Sequence, residues 1–353
     1  MMAKNAYPII TDFHSSVAKK VNRFSYEQEI MYSKVKIVET CHKYHSKGYS
    51  VKPIFLGDIY DRGYKSITGA ILDQNFIISL YMQLGTCYAV LGNHEISFAK
   101  NNPYCTLCTE IESEKIRGLS SLTWAPVGII PAIRLVDTLV DGDVVFHFNH
   151  YGTRIETPVA GKVNVGLFHQ EIAINEIIQD AETQYKKSIY SEFIVKVQES
   201  FFTGYQYCFL GHLHDLYGIY QLDTNSGSCI LQCLSTLGRP QVSEVNDLML
   251  ERDIPVVIVD DGHFIAIEHN TFDLPDRKSC VKEDVVKKQQ INRQQVKALK
   301  KSLNYSYKDD VPMNNVVQAL GYNTMAIDTL QGIISHQEAQ SVLDLRSRVK
   351  RLI

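Results

Sequence analysis

Five short polar clusters punctuate the first two thirds of the chain, and their residue types are those that hold metal ions. IITDFHSS (9–16) carries Asp12 and His14, FLGDIYDRG (55–63) carries Asp58, Asp61 and Arg62, and VLGNHE (90–95) carries Asn93, His94 and Glu95. Further on, VGLFHQ (165–170) carries His169 and FLGHLHD (209–215) carries His212 and His214. Carboxylates crowded where an apolar run ends are costly to desolvate unless a counter-charge, an arginine or a metal ion, stands beside them. Asp-x-His and His-x-His at a strand exit point two side chains at one spot, and mixed oxygen and nitrogen donors suit borderline divalent ions such as Mn²⁺, Fe²⁺ or Zn²⁺. The ligand count fits two ions. Asp58 bridges them, Asp12 and His14 serve one, Asn93 and His169 the other, and His212 and His214 are divided between them. A pair about 3.5–4 Å apart clamps a phosphate and presents a nucleophile in line with the leaving oxygen.

A lone Asp-x-His is more often a helix cap or a surface pair, so the reading rests on recurrence. Each cluster follows an apolar run, and Gly57, Gly92 and Gly211 precede ligands where a missing side chain allows close approach. His150 in FNHYG also follows such a run and competes with His169 for one metal position, whereas His147, inside its run, reads as a satisfied core residue.

The elements that must deliver these residues are short and β-rich. KPIFLG (52–57), TCYAVLG (86–92), DVVFHF (143–148), KVNVGLF (162–168), QYCFLG (206–211), SCILQCL (228–234) and IPVVIVD (254–260) have the length and composition of strands, several buried on both faces. Residues 24–48 have helical spacing and end on a glycine. Strands alternating with helical segments argue for an α/β fold, whose ligand sites lie at the carboxyl ends of the strands. After about residue 275 the chain becomes polar, lysine-rich and helix-prone, which divides it into a catalytic domain over 1–275 and a helical extension over 276–353.

With 353 residues and 45% apolar content the chain can bury a full-sized core, and a formal charge of −3 excludes a global positive field for nucleic acid or anionic membrane. No run approaches the roughly 18 apolar residues of a membrane span, and the start MMAKNAYPIITDF lacks a signal-peptide pattern, so a cytoplasmic location is expected. The eight cysteines are scattered as reduced thiols are, and the single Cys105-x-x-Cys108 reads as packing or loop.

The series D-x-H, GD-x-x-D, GNHE, H, GH-x-H resembles the calcineurin-like metallophosphoesterase superfamily over about residues 8 to 240. The resemblance implies a four-layer α/β/β/α sandwich, two divalent ions, Mn²⁺ first among them, on the residues named above, and His94 as general acid. Asp61 and Glu95 then orient His94 or a metal ligand. GDIYDRG with GNHE looks like the protein Ser/Thr phosphatase branch, in which the arginine matching Arg62 grips the phosphate of a monoester. The TDFHSS opening, together with GHLH followed by a strand and LSTLGRPQ (234–241), is similar to the SbcD-type repair nucleases, including those encoded by bacteriophages. That branch implies a DNA exo/endonuclease subunit whose C-terminal helices dock on an SbcC-type coiled-coil ATPase, and it carries the further expectation of a homodimer. A third alternative is a catalytically silent binding module of the same fold, which the complete ligand set argues against.

Overall fold

A computed structural model of the protein describes residues 4–12, 14, 26–59, 67–97, 109–117, 132–170, 172–173, 195–196, 199–214, 218–238 and 251–275. All lie in the first of the two units into which the chain divides, Met1–Lys282. The second, Glu283–Ile353, lies outside the described residues, as do Asp61, Arg62, the Cys105/Cys108 pair and Trp124.

The first sheet contains β1 (Asn5–Thr11), β2 (Ser50–Val51), β3 (Ile54–Leu56), β4 (Cys87–Val90), β5 (Thr109–Ile111), β6 (Ile133–Leu135), β16 (Val256–Asp260) and β17 (His263–Glu268). Its order is β17-β16-β1-β3-β4-β6-β5, with β2 also beside β1. The second contains β7 (Thr138–Asp141), β8 (Val144–Asn149), β9 (Val163–Phe168), β12 (Tyr207–Leu210), β13 (Gly218–Thr224) and β14 (Gly227–Cys233), in the order β13-β14-β12-β9-β8-β7. Two small pairs, β10 (Ile172–Ala173) with β11 (Val195–Lys196) and β15 (Glu251–Asp253) with β18 (Thr271–Asp273), complete the described strands.

Strand alternation builds the layers. Along β1, Tyr7 and Ile9 face the second sheet while Ala6 and Ile10 face the helices, and along β3 Ile54 and Leu56 oppose Phe55 in the same way. Val144, Phe146 and Phe148 of β8, Val165 and Leu167 of β9 and Phe209 of β12 meet that inner face from the second sheet. Both faces of the central strands are therefore buried, which explains their continuous apolar runs.

On the outer side of the first sheet lie α1 (Tyr26–His45) and α2 (Ile67–Leu84). Ile30, Ile37, Cys41 and Tyr44 form the buried stripe of α1, and Ile77 and Leu80 that of α2. Gly48, at φ 84°, closes α1 behind a last turn carrying His42, Lys43 and His45, which suits the negative end of the helix dipole. Outside the second sheet, Phe168, Cys208, Leu210, Cys229 and Leu231 pack with Phe202 and Tyr205. The fold is thus α/β, as the strand pattern implies, with the two large sheets of the sandwich that the resemblance implies. One detail differs: GHLH is followed by a hairpin of two strands, β13 and β14, because the amphipathic alternation of Gly218–Thr224 makes a half-exposed edge strand that an apolar-run criterion misses. No helix among the described residues is long and apolar enough to cross a membrane.

Candidate metal centre

The polar clusters converge at the carboxyl ends of parallel strands from both sheets. Asp12 follows β1, Asp58 follows β3, Asn93 follows β4, His169 follows β9, and His212 and His214 follow β12. The chain bends sharply at the exits of β1, β3 and β12. Among the described residues five non-glycines have positive φ, and four of them are Asp12 (38°), His14 (43°), Asp58 (45°) and His212 (79°). Such conformations cost on the order of 1–3 kcal/mol each and persist only where surrounding bonds fix them.

Those bonds are present. Oδ2 of Asp12 accepts from Thr11 Oγ1 at 2.5 Å and from the His212 backbone at 2.9 Å, and Thr236 Oγ1 donates to the Asp12 carbonyl at 2.8 Å. His14 N donates to the Asp58 carbonyl at 2.8 Å. Buried Glu95 accepts from the backbone of Asp58 (2.9 Å) and Gly92 (2.7 Å), and the His94 backbone donates to Asp58 Oδ1 at 3.0 Å.

The glycines ahead of the ligands also have a defined use. A Cβ on Gly57 would enter the His169 ring, one on Gly92 the Asp58 carboxylate, and one on Gly211 would lie 2.7 Å from Asp12 Oδ2. At these positions each missing side chain makes room for a neighbouring ligand.

The donors form two groups that share Asp58. Asp12, His14, Asp58 and His214 offer ligand atoms all within 4.8 Å of one another, and so do Asp58, His169 and His212. His214 therefore falls with the first group and His212 with the second. In the first, His14 Nε2 and His214 Nε2 face each other at 2.8 Å, and Asp12 Oδ1 is buried without a hydrogen bond, 3.3 Å from His214 Nε2. In the second, His169 Nε2 lies 3.2 Å from Asp58 Oδ2.

The Asn93 amide reaches the middle of the second group. One terminal atom stands 3.0 and 3.3 Å from the Asp58 oxygens, 3.3 Å from His169 Nε2 and 3.1 Å from His212 Nδ1. A nitrogen there donates to the Asp58 oxygens; an oxygen there faces them with lone pairs that a metal ion, or in its absence the proton of His169, offsets. Converging lone pairs, a buried carboxylate oxygen without a hydrogen bond and the O/N donor set fit a pair of divalent ions. When bound, such ions supply Lewis-acid polarisation of a phosphoryl group and a nucleophile at neutral pH.

The histidines are prepared for this role. His169 Nδ1–H donates to the Leu56 carbonyl at 2.8 Å, which fixes the tautomer and aims Nε2 at the carboxylates. Burial opposes charge on His169, yet Asp58 and Asp12 raise its pKa to about 10. Burial likewise opposes charge on the two carboxylates, but the neighbouring histidines hold both below the usual range: His169, His14 and His214 for Asp12, and His169, His14 and His94 for Asp58. His212 is lowered to about 4 by burial and by the charge of His169. The site therefore has ionised carboxylates and one readily neutral histidine, and a metal ion must displace the proton of His169.

His94 stands outside both groups. Its side chain is 21% exposed, its Nε2 lies 3.8 Å from Asp58 Oδ2, and its ring meets His14 edge-on at 5.0 Å. His150 does not compete with His169. Both its nitrogens are engaged elsewhere, Nδ1 accepting from Leu91 N at 3.0 Å and Nε2–H donating to the Val136 carbonyl at 3.1 Å. His147 is a core residue bonded to Asn164 Oδ1 at 2.8 Å. Thr236, in the small-residue turn after β14, was not singled out by residue chemistry; its role depends on the turn packing under Asp12.

Fold and donor set are of a kind that comparison with protein families also recognises. Residues 9–216 match the calcineurin-like phosphoesterase family, and the chain belongs to that family. No curated protein matches it in sequence. Among solved structures it is similar to the NAD nucleotidase NadN of Haemophilus influenzae, with 13% identity over 77% of this chain and 50% of that one and a TM-score of 0.37. It is also similar to a 5'-nucleotidase precursor from Thermus thermophilus, with 12% identity over 84% of this chain and 59% of that one and a TM-score of 0.40. The chain thus spans between half and three fifths of the length of these two structures.

Proposed function

We propose that this phosphoesterase hydrolyses phosphodiesters and that its substrate is DNA. The observation that carries the reading is the charge make-up of the centre. Among the described residues, the ion-pair partners of Asp12 and Asp58 are histidines: His14, His169 and His214 for one, His14, His94 and His169 for the other. A diester phosphate carries one negative charge, which a metal pair on neutral histidines can match, whereas a monoester dianion gains from a further cation. His94, at the rim and tied through its backbone to Asp58, is the group we assign to protonate the leaving oxygen. The helix-prone residues 276–353 are proposed to dock on a coiled-coil ATPase of the SbcC type.

A second reading, a phosphomonoesterase, is favoured by one feature of the sequence: Arg62 comes four residues after Asp58, and a guanidinium suits a phosphate dianion. Side-by-side assay with Mn²⁺ on single-stranded DNA, duplex ends and 4-nitrophenyl phosphate separates the two. DNA cleavage that falls only modestly in Arg62→Ala is expected. Robust monoester turnover that collapses about 10²-fold or more in Arg62→Ala, with no DNA cleavage, would replace the first reading by the second.

A further inference from the structure

We infer that Tyr151 is a specificity-determining residue of this site, a stacking platform for the nucleobase next to the scissile phosphate. The inference rests on the proposal that the substrate contains nucleotides. β8 ends at Asn149, and the next two residues are fastened to both ligand-bearing loops. His150 is bonded to Leu91 N and to the Val136 carbonyl, and Tyr151 N donates to the Leu91 carbonyl at 2.9 Å, two residues before Asn93. Gln170, the neighbour of His169, donates from Nε2 to the His150 carbonyl at 3.3 Å.

The backbone of Tyr151 is thereby held to the loops that deliver Asn93 and His169. Its half-buried ring lies 6.2 Å from the His212 ring, with the planes at 42°. Among the described residues, the other rings that lie against the ligand histidines His14, His169 and His212 are themselves histidines. Among the described residues, Tyr151 is therefore an aromatic side chain beside the centre that does not belong to either ligand group. A side chain beside a held phosphate is at the range at which a base one sugar away can stack, and stacking tolerates every base because each has a π-face. A side chain with two rotatable bonds makes that contact at little entropic cost.

The test is calorimetric titration of the Mn²⁺-loaded full chain with deoxyadenosine 5'-monophosphate and with deoxyribose 5-phosphate, which share the phosphate and differ by the base. Wild type is expected to bind the nucleotide roughly ten-fold or more tightly than the sugar phosphate. Tyr151→Phe should keep the difference and Tyr151→Leu should erase it, with the sugar phosphate bound equally by all three. Equal or undetectable binding of the two ligands by wild type, or a base preference that survives in Tyr151→Leu, overturns the inference. The wild-type comparison and Tyr151→Phe keep the test decisive should the leucine variant not fold. Hydrolysis of bis(4-nitrophenyl) phosphate by the same samples reports separately on the proposed function. Turnover without a base preference removes the role of Tyr151 and leaves the diesterase, and a base preference without turnover does the reverse.

Discussion

Asp58 is the residue on which both ligand groups depend, because one carboxylate lies within reach of His14 on one side and of His169 on the other. Asp58→Asn keeps the shape and removes the charge, so metal content by elemental analysis should fall and hydrolysis should be lost. Exposed Asp223→Asn should change neither. Wild-type occupancy in Asp58→Asn would remove the shared-ligand assignment. His94 calls for a different outcome, since it touches Asp58 without joining either group. His94→Ala is expected to keep its metals and to lose roughly 10²–10⁴-fold in rate on a poor leaving group. The loss should shrink on a nitrophenyl ester, which needs no proton; equal losses on both would make His94 structural.

The strand exits and the clamps behind them set the precision of the centre. Gly57 combines φ 77° with a His169 ring packed where its Cβ would be. Gly57→Ala should therefore displace His169 and weaken metal binding while the rest of the sheet stays folded. Metal affinity with circular dichroism on the same sample checks this, and unchanged affinity would contradict the packing. His150 provides a pH signature of the loop that carries Asn93. Burial lowers its pKa to about 4 against an ordinary value near 6.5, so the neutral ring is the form the fold requires. The unfolded chain takes up that proton first as pH falls, and stability is lost between about pH 6.5 and 4, on the order of 3 kcal/mol when complete. Denaturant titration of wild type and His150→Gln across that window should show a difference that narrows as the pH drops; a constant difference would mean His150 does not titrate there.

Across the molecule the centre ties the two sheets together, with Asp12, Asp58 and Asn93 coming from the first and His169, His212 and His214 from the second. Metal binding should stabilise the folded chain by linkage and raise Tm. The gain has a definite pH trend. In the metal-free protein His169, raised to about 10, contributes stability that is complete below about pH 6.5 and is lost as pH rises towards 10. A bound ion replaces that proton, so the Mn²⁺-induced rise in Tm should grow from pH 6.5 to 8.5. A rise that shrinks with pH would show that His169 is not among the displaced groups.

Much of this was written in local pattern. An apolar run of four to seven residues, followed directly or, at Asp58, Asn93 and His212, through a glycine by Asp, Asn or His, places these donors at strand exits, because burial and backbone reversal act on neighbours in the chain. Local pattern also marked α1, through its stripe and its terminal glycine. It did not mark β13, whose alternation is that of a half-exposed edge. Nor could it divide His212 from His214 or choose His169 over His150, since both choices depend on how one sheet's strand ends register against the other's. The sequence by itself determined the donor types, their order and their strand exits; only the packing of two sheets decided which lone pairs converge, because that convergence joins residues as far apart as His14 and His214.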